Sequence, residues 1–191
     1  SGKYKSSSSQ QHNNSAFQCN SNSTSVVMIR VINLNKSFND QSILSNINVS
    51  FEAGKTNLII GRSGSGKTVL LKSIVGLHDI DSGEIWYDDM LFNKLDFAGK
   101  KEIRKEIGML FQGSALFDSL TVEQNVRFPL DMFTEKSVEE KTDRVNFCLE
   151  RVNIINSNQL LPSELSGGMK KRVAIARAIS LNPKYLFCDE P

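Results

Sequence analysis

The sequence predicts an α/β fold, and three segments carry that prediction. Thr56-Asn57-Leu58-Ile59-Ile60 reads as a short strand; glycines follow at once, and residues 68–75 then take up helical apolar spacing. Tyr185-Leu186-Phe187-Cys188 has the character of a fully buried parallel strand. It delivers Asp189 and Glu190 at its C-terminal edge, where ligands of open α/β sheets sit. Between the two, residues 107–111 form a further strand that ends at Gln112.

The remaining elements follow in order. Residues 1–25 are mostly Ser, Asn and Gln, too poor in apolar side chains to offset the entropy of ordering, and are expected to be disordered. Residues 26–34 alternate enough for an edge strand, paired with 44–51 across an Asn39-Asp40 turn, and 84–87 add another strand before Asp88-Asp89. A helix starts at Thr121-Val122 and is interrupted by Pro129. Ser137-Val138-Glu139-Glu140 is a capping box that launches a helix to about Val152, with Val138, Val145, Cys148, Leu149 and Val152 as its inner stripe. Leu165-Ser166-Gly167-Gly168-Met169 opens a last helix over 170–180, on which Val173, Ala174, Ala176, Arg177 and Ile179 fit a partly buried face.

A chain of 191 residues, 39% hydrophobic and 23% charged, has room for one domain with a sizeable core. A net charge of +2 argues against nucleic acid as the main partner, and Lys100-Lys101 and Lys170-Lys171-Arg172 read as solvated helix faces. No apolar run is long enough to span a bilayer, so any membrane crossing belongs to a partner. Cys19, Cys148 and Cys188 have no metal-ligand spacing, which fits a reducing compartment, with Cys188 as a small core residue. His12 and His78 have no neighbours that point to catalysis.

The chemistry concentrates in Gly61-Arg62-Ser63-Gly64-Ser65-Gly66-Lys67-Thr68, followed by Val69. A loop that wraps a polyphosphate needs inward-pointing N–H groups, and glycine permits the backbone angles and close approach this requires. The helix that follows turns its positive end to the phosphates. This is the P-loop pattern, in which Lys67 supplies a point charge for the β- and γ-phosphates of a nucleotide and the Thr68 hydroxyl is placed to ligate Mg²⁺; alone it leaves kinases, GTPases, helicases and other nucleotide-hydrolysing proteins open. Asp189 would hold Mg²⁺ directly or through water, and Glu190 would polarise the attacking water. Ser166, Gly167 and Gly168 make a second anion-binding helix start, although a serine and glycines at that position also cap a helix with no ligand at all.

The glycine loop, Gln112, the Leu165-Ser166-Gly167-Gly168-Met169 signature and the 185–190 run stand in one order that resembles the ATP-binding-cassette (ABC) transporter ATPases, from Phe38 to the last residue. The resemblance implies a P-loop NTPase fold with a RecA-like core, an antiparallel β subdomain on the adenine side and a helical signature subdomain over about 113–180. It implies that Phe38 stacks on adenine, against the competing reading of a core phenylalanine. Gln112 would contact the metal and the attacking water. Ser166, Gly167 and Gly168 would close over ATP held by a second ATPase subunit, in a nucleotide-sandwich homodimer. A transmembrane permease would dock beside Gln112, placing the chain on the inner, cytoplasmic face of the cytoplasmic membrane. There is no sustained heptad repeat of the kind that chromosome-maintenance ATPases insert, and one cassette rather than the two of ABC translation factors.

Within the family, residues 110–122, Phe128-Pro129-Leu130 and 162–172 resemble the Mla/Mce-type ATPases, which implies phospholipid transport with an Mce-type lipid-binding protein as a further partner. Another cargo, as in a lipoprotein-releasing exporter, is the alternative, as is an inactive nucleotide-binding fragment. The family continues beyond the glutamate matched by Glu190 with a D-loop, more strands and a switch histidine. The chain ends at Pro191, so it is expected to be part of a longer protein.

Overall fold

The computed structural model describes residues 27–189. The tail expected to be disordered and Glu190 lie outside those residues.

The chain opens with two long antiparallel strands, β1 (Val27–Phe38) and β2 (Gln41–Glu52). They are joined by Asn39 and Asp40, both left-handed at φ +46° and +61°, the two-residue turn whose twist matches that of the strands. β3 (Ser82–Tyr87) and β4 (Met90–Leu91) complete a four-stranded sheet in the order β2-β1-β3-β4. β1 is therefore central rather than an edge strand. Its alternation comes from Ile29, Val31 and Leu34 facing the core, and its other edge is taken by β3, distant in sequence, in register pairs such as Ile29↔Tyr87 and Ile32↔Glu84.

α1 (Lys67–Ile74) packs beneath this sheet through Leu70 and Ile74, in one cluster with Ile29, Val31, Leu34, Leu44, Ile85, Tyr87, Phe92, Ile103 and Tyr185. α2 (Phe97–Lys105), N-capped by Asp96, leads into β5 (Ile107–Leu110). β5 pairs in parallel with β6 (Tyr185–Cys188), and Leu110 stands opposite Cys188. At Gly108 a Cβ would fall 2.4 Å from the Ala178 carbonyl oxygen, so glycine is what lets the helical layer approach β5 this closely.

A second cluster joins α3 (Val122–Phe133), α4 (Val138–Arg151) and α5 (Gly167–Ala178). Its members include Val122, Val126, Leu130, Val145, Cys148, Leu149, Leu165, Val173 and Ala176. Arg144 of α4 donates to the carbonyls of Ile179 and Ser180 beyond α5, while Arg172 of α5 donates to those of Val152 and Asn153 beyond α4. Each helix thus places a cation at the negative end of the other.

Five local expectations need correction. Residues 56–60 lie in no strand: Ile59 packs on the core, but Leu58 and Ile60 are 76% and 71% exposed and no ladder partner flanks them among the described residues. Their anchor is the Asn57 side chain, which accepts from the Glu52 N–H and donates to its carbonyl. β6 is buried on one face, not two: Tyr185 is buried while Leu186 and Cys188 are exposed, so Cys188 is no core residue. α3 runs through Pro129, because Val122, Val126 and Leu130 anchor it on both sides of the break. Val138 is 72% exposed, since it occupies the first turn of α4, ahead of the stripe that starts at Val145. α5 begins at Gly167, not 170, because Ser166 already caps it.

Candidate nucleotide site

The loop before α1 is shaped by Gly64 and Gly66, at φ +73° and +90°. A Cβ at Gly66 would sit 2.9 Å from Leu44 Cδ2 and 3.3 Å from the Ile43 carbonyl oxygen, so the loop is pressed against β2 where only glycine fits. Lys67 folds its ammonium back across the loop, donating to the carbonyls of Gly61 (3.0 Å) and Arg62 (2.9 Å). The charge is thereby held against the loop's own carbonyls. α1 has no side-chain cap, whereas Asp96, Thr121, Ser137 and Ser166 cap α2, α3, α4 and α5. The first-turn N–H groups of α1, at Lys67, Thr68 and Val69, have no partner within the helix and no capping oxygen, which leaves them for an anion.

The Thr68 hydroxyl donates to Asp189 Oδ1 at 2.9 Å, across 121 positions of sequence. Asp189 is 6% exposed, and its N–H donates to the Leu110 carbonyl at 2.9 Å, which continues the β5–β6 ladder by one residue. A hydroxyl and a carboxylate are the hard oxygen donors that Mg²⁺ prefers, and their 2.9 Å spacing is that of neighbouring ligands in an octahedron with bonds of about 2.0–2.1 Å. The pair fits the metal.

Gln112 is exposed in the turn after β5, two positions beyond the carbonyl that receives the Asp189 N–H, so both lie at the C-terminal edge of the parallel strands. Phe38 is 40% exposed, which rules out the core reading. Its ring lies at the surface, with the Lys36 ammonium 5.1 Å from its centroid and the His78 ring edge-on at 5.4 Å. Asp81 anchors this corner, accepting from Lys36 and from the Ser37 N–H, and those bonds lower its pKa. Ser166 caps α5 by accepting from the Met169 N–H at 3.3 Å, as the ligand-free reading requires. Gly167 and Gly168 nevertheless face open space, and their helix belongs to the second cluster, not to that of the P-loop.

Sequence reasoning missed several residues that hold the site. Asn125, fully buried on α3, accepts from the Phe117 N–H and donates to the carbonyls of Phe117, Leu120 and Thr121, so it ties down the loop after Gln112. A lone amide between Val122 and Val126 on an apolar stripe was the available signal. Tyr87 donates its hydroxyl to the Ile74 carbonyl at the end of α1 and meets the Tyr185 ring edge-on at 5.0 Å. Asp88 Oδ2 accepts from both Tyr185 (2.9 Å) and Lys184 (2.5 Å). The far ends of α1 and β6 are thus fastened to one turn, while their near ends meet at Thr68 and Asp189.

An α/β fold with an uncapped helix behind a glycine loop, and a hydroxyl–carboxylate pair beside it, defines a P-loop nucleotide-binding protein. The ABC transporter family model matches residues 44–191, and the chain belongs to that family. It is 40% identical over 163 residues to the methionine import ATP-binding protein MetN of Clostridioides difficile (strain 630), covering 85% of this chain and 50% of that protein. It is 38% identical over 165 residues to the probable ribonucleotide transport ATP-binding protein mkl of Mycobacterium leprae (strain TN), covering 86% and 48%. The chain thus spans about half the length of these curated relatives. Among solved structures it resembles the dimeric bacterial ABC transporter cassette MJ0796, with TM-score 0.80, 34% identity, and 86% of this chain and 74% of that one covered. A dimeric post-hydrolysis state of the same cassette, bound to ADP and Pi, aligns with TM-score 0.79.

Proposed function

We propose that the chain is the ATP-binding and ATP-hydrolysing part of an ABC transporter subunit, and that the transporter moves phospholipid between membranes. The observation that carries the ATPase reading is the contact between Thr68 and Asp189, which joins the P-loop to the end of β6. Residues 61–67 and the start of α1 bind the phosphates, Lys67 holds a positive charge against them, and Thr68 and Asp189 hold Mg²⁺. Held there, Mg²⁺ would supply positive charge against the phosphate oxygens. Gln112 orients the attacking water, Glu190 accepts its proton, and Phe38 stacks on adenine. Ser166, Gly167 and Gly168 act on nucleotide held by a second copy of the chain, a reading supported by their open setting on a separate packing cluster.

The domain runs from residue 26 onward, with residues 113–180 as its helical part. A permease docks on the cleft of about 260 Å³ lined by Ala115, Phe117, Phe128, Pro129 and Phe133. Among the described residues no helix is long and apolar enough to cross a membrane. The chain sits peripherally on the cytoplasmic face, with a permease making the crossing. An Mce-type protein would carry lipid on the other side. The second reading is import of a small solute, favoured by the similarity to MetN.

Titration of the full-length protein with Mg²⁺-ATP tests the ATPase reading: Lys67→Ala should weaken binding at least about a hundredfold by removing the central cation. Parental affinity would reject Lys67 as a phosphate ligand. Reconstituted with its permease, the subunit should be stimulated by phospholipid and not by methionine; the reverse outcome selects the second reading.

A further inference from the structure

Arg177 lies outside every motif that defines the site, yet it grips the loop that leaves it. Three successive residues after Gln112 are left-handed: Gly113 at φ +76°, Ser114 at +71° and Ala115 at +45°. Glycine accepts this region freely; Ser and Ala do not, so the run needs an external hold. The Arg177 guanidinium supplies it, donating through Nη2 to the Ser114 carbonyl (3.0 Å) and through Nη1 to the Ala115 carbonyl (2.8 Å). Its planar fork meets two adjacent carbonyls at once, as it would the two oxygens of a carboxylate. The Phe117 ring lies 5.8 Å from the guanidinium carbon, and Asn125 fixes the Phe117 N–H and carbonyl on the far side. Arg177 and the signature residues share α5, one uninterrupted helix of 12 residues capped by Ser166.

We propose that Arg177 is a positioning residue: it holds the strained run at 113–115, so that the direction of Gln112 is set by the orientation of α5. A rigid helix carries a displacement at one end to the other. Turning α5 to bring Gly167 and Gly168 onto a nucleotide therefore drags the carbonyls of Ser114 and Ala115, and with them the base of Gln112. The assignment rests on the proposed roles of Gln112 and Ser166, and its structural part can be read without any nucleotide.

In the full-length protein, Arg177→Ala should raise amide exchange across 112–118 on the order of tenfold while the first turns of α5 stay as protected as in the parent. ATP turnover should fall about ten- to a hundredfold, with KM for ATP changed less than about twofold. A parental exchange rate at 112–118 overturns the proposal, and so does loosening spread along all of α5, which would make Arg177 an ordinary packing residue. A loosened loop with parental turnover overturns the link to Gln112. A loosened loop in a protein whose parent form hydrolyses no ATP supports the hold on 113–115 and overturns the nucleotide reading instead. Should the Ala variant not fold, Arg177→Lys carries the test: an ammonium reaches one carbonyl at a time, so exchange should rise by a smaller factor. Parental exchange in the Lys variant overturns the proposal.

Discussion

At Gly66 two independent penalties fall on any side chain. The backbone angle of +90° disfavours L residues by about 1–2 kcal/mol. A Cβ there also meets Leu44 and the Ile43 carbonyl at 2.9 and 3.3 Å, and a carbonyl in a sheet cannot yield far. Gly66→Ala should therefore cost about 2 kcal/mol or more of stability, seen as a lowered urea midpoint at unchanged slope, and nucleotide affinity should fall with it. A parental midpoint would mean that the loop does not sit on β2 as described. Gly66 was legible in the sequence because a motif names it. Arg177 was legible only as a helix-face residue, since periodicity tells which side of a helix is buried but not which carbonyls lie across from it. The same limit hid Asp88, Lys184 and Tyr185, whose meeting depends on two turns that pattern reading places separately.

Among the elements, helices marked by a capping box read accurately at their starts. The Ser137 capping box was evident three residues apart in sequence, and both of its bonds form. Residues 56–60 were misread as a strand, because an apolar run becomes a strand only through neighbours, and pairing is a property of the sheet. Pro129 was misjudged for a related reason: its local cost was visible, while the packing that outweighs it was not. A proline in a helix interior costs about 3 kcal/mol, partly offset by the lower entropy of the unfolded chain. Pro129→Ala should accordingly stabilise the protein by about 1–2 kcal/mol, measurable as a raised thermal midpoint. A loss of stability would mean instead that the ring's packing in the cleft it lines with Phe128 and Phe133 outweighs the missing N–H.

Across the whole molecule, the turn at Asp88 fastens the antiparallel sheet to β6. The Lys184 and Tyr185 hydrogen bonds hold the Asp88 carboxyl below its ordinary pKa of 3.8, and the same contact holds Lys184 above its ordinary 10.5. Stability from Asp88 is therefore fully present above pH 3.8 and is lost as pH falls through the depressed value in the folded protein. That from Lys184 is present below 10.5 and lost only at higher alkalinity. Asp88→Asn should flatten the acid limb of the stability curve and leave the slope near neutrality unchanged; an unaltered acid limb would remove Asp88 as its source. The contact between Thr68 and Asp189 sets a different kind of limit, one of timing. Its partners stand 121 positions apart, so a growing chain carries a finished glycine loop long before it carries the carboxylate that completes the metal pair. Until then a nucleotide at the proposed site would find phosphate ligands without a metal seat. At the proposed site, Mg²⁺-ATP would tie the start of α1 to the end of β6 as a removable cross-link, and so would favour the chain in which those two elements have already met.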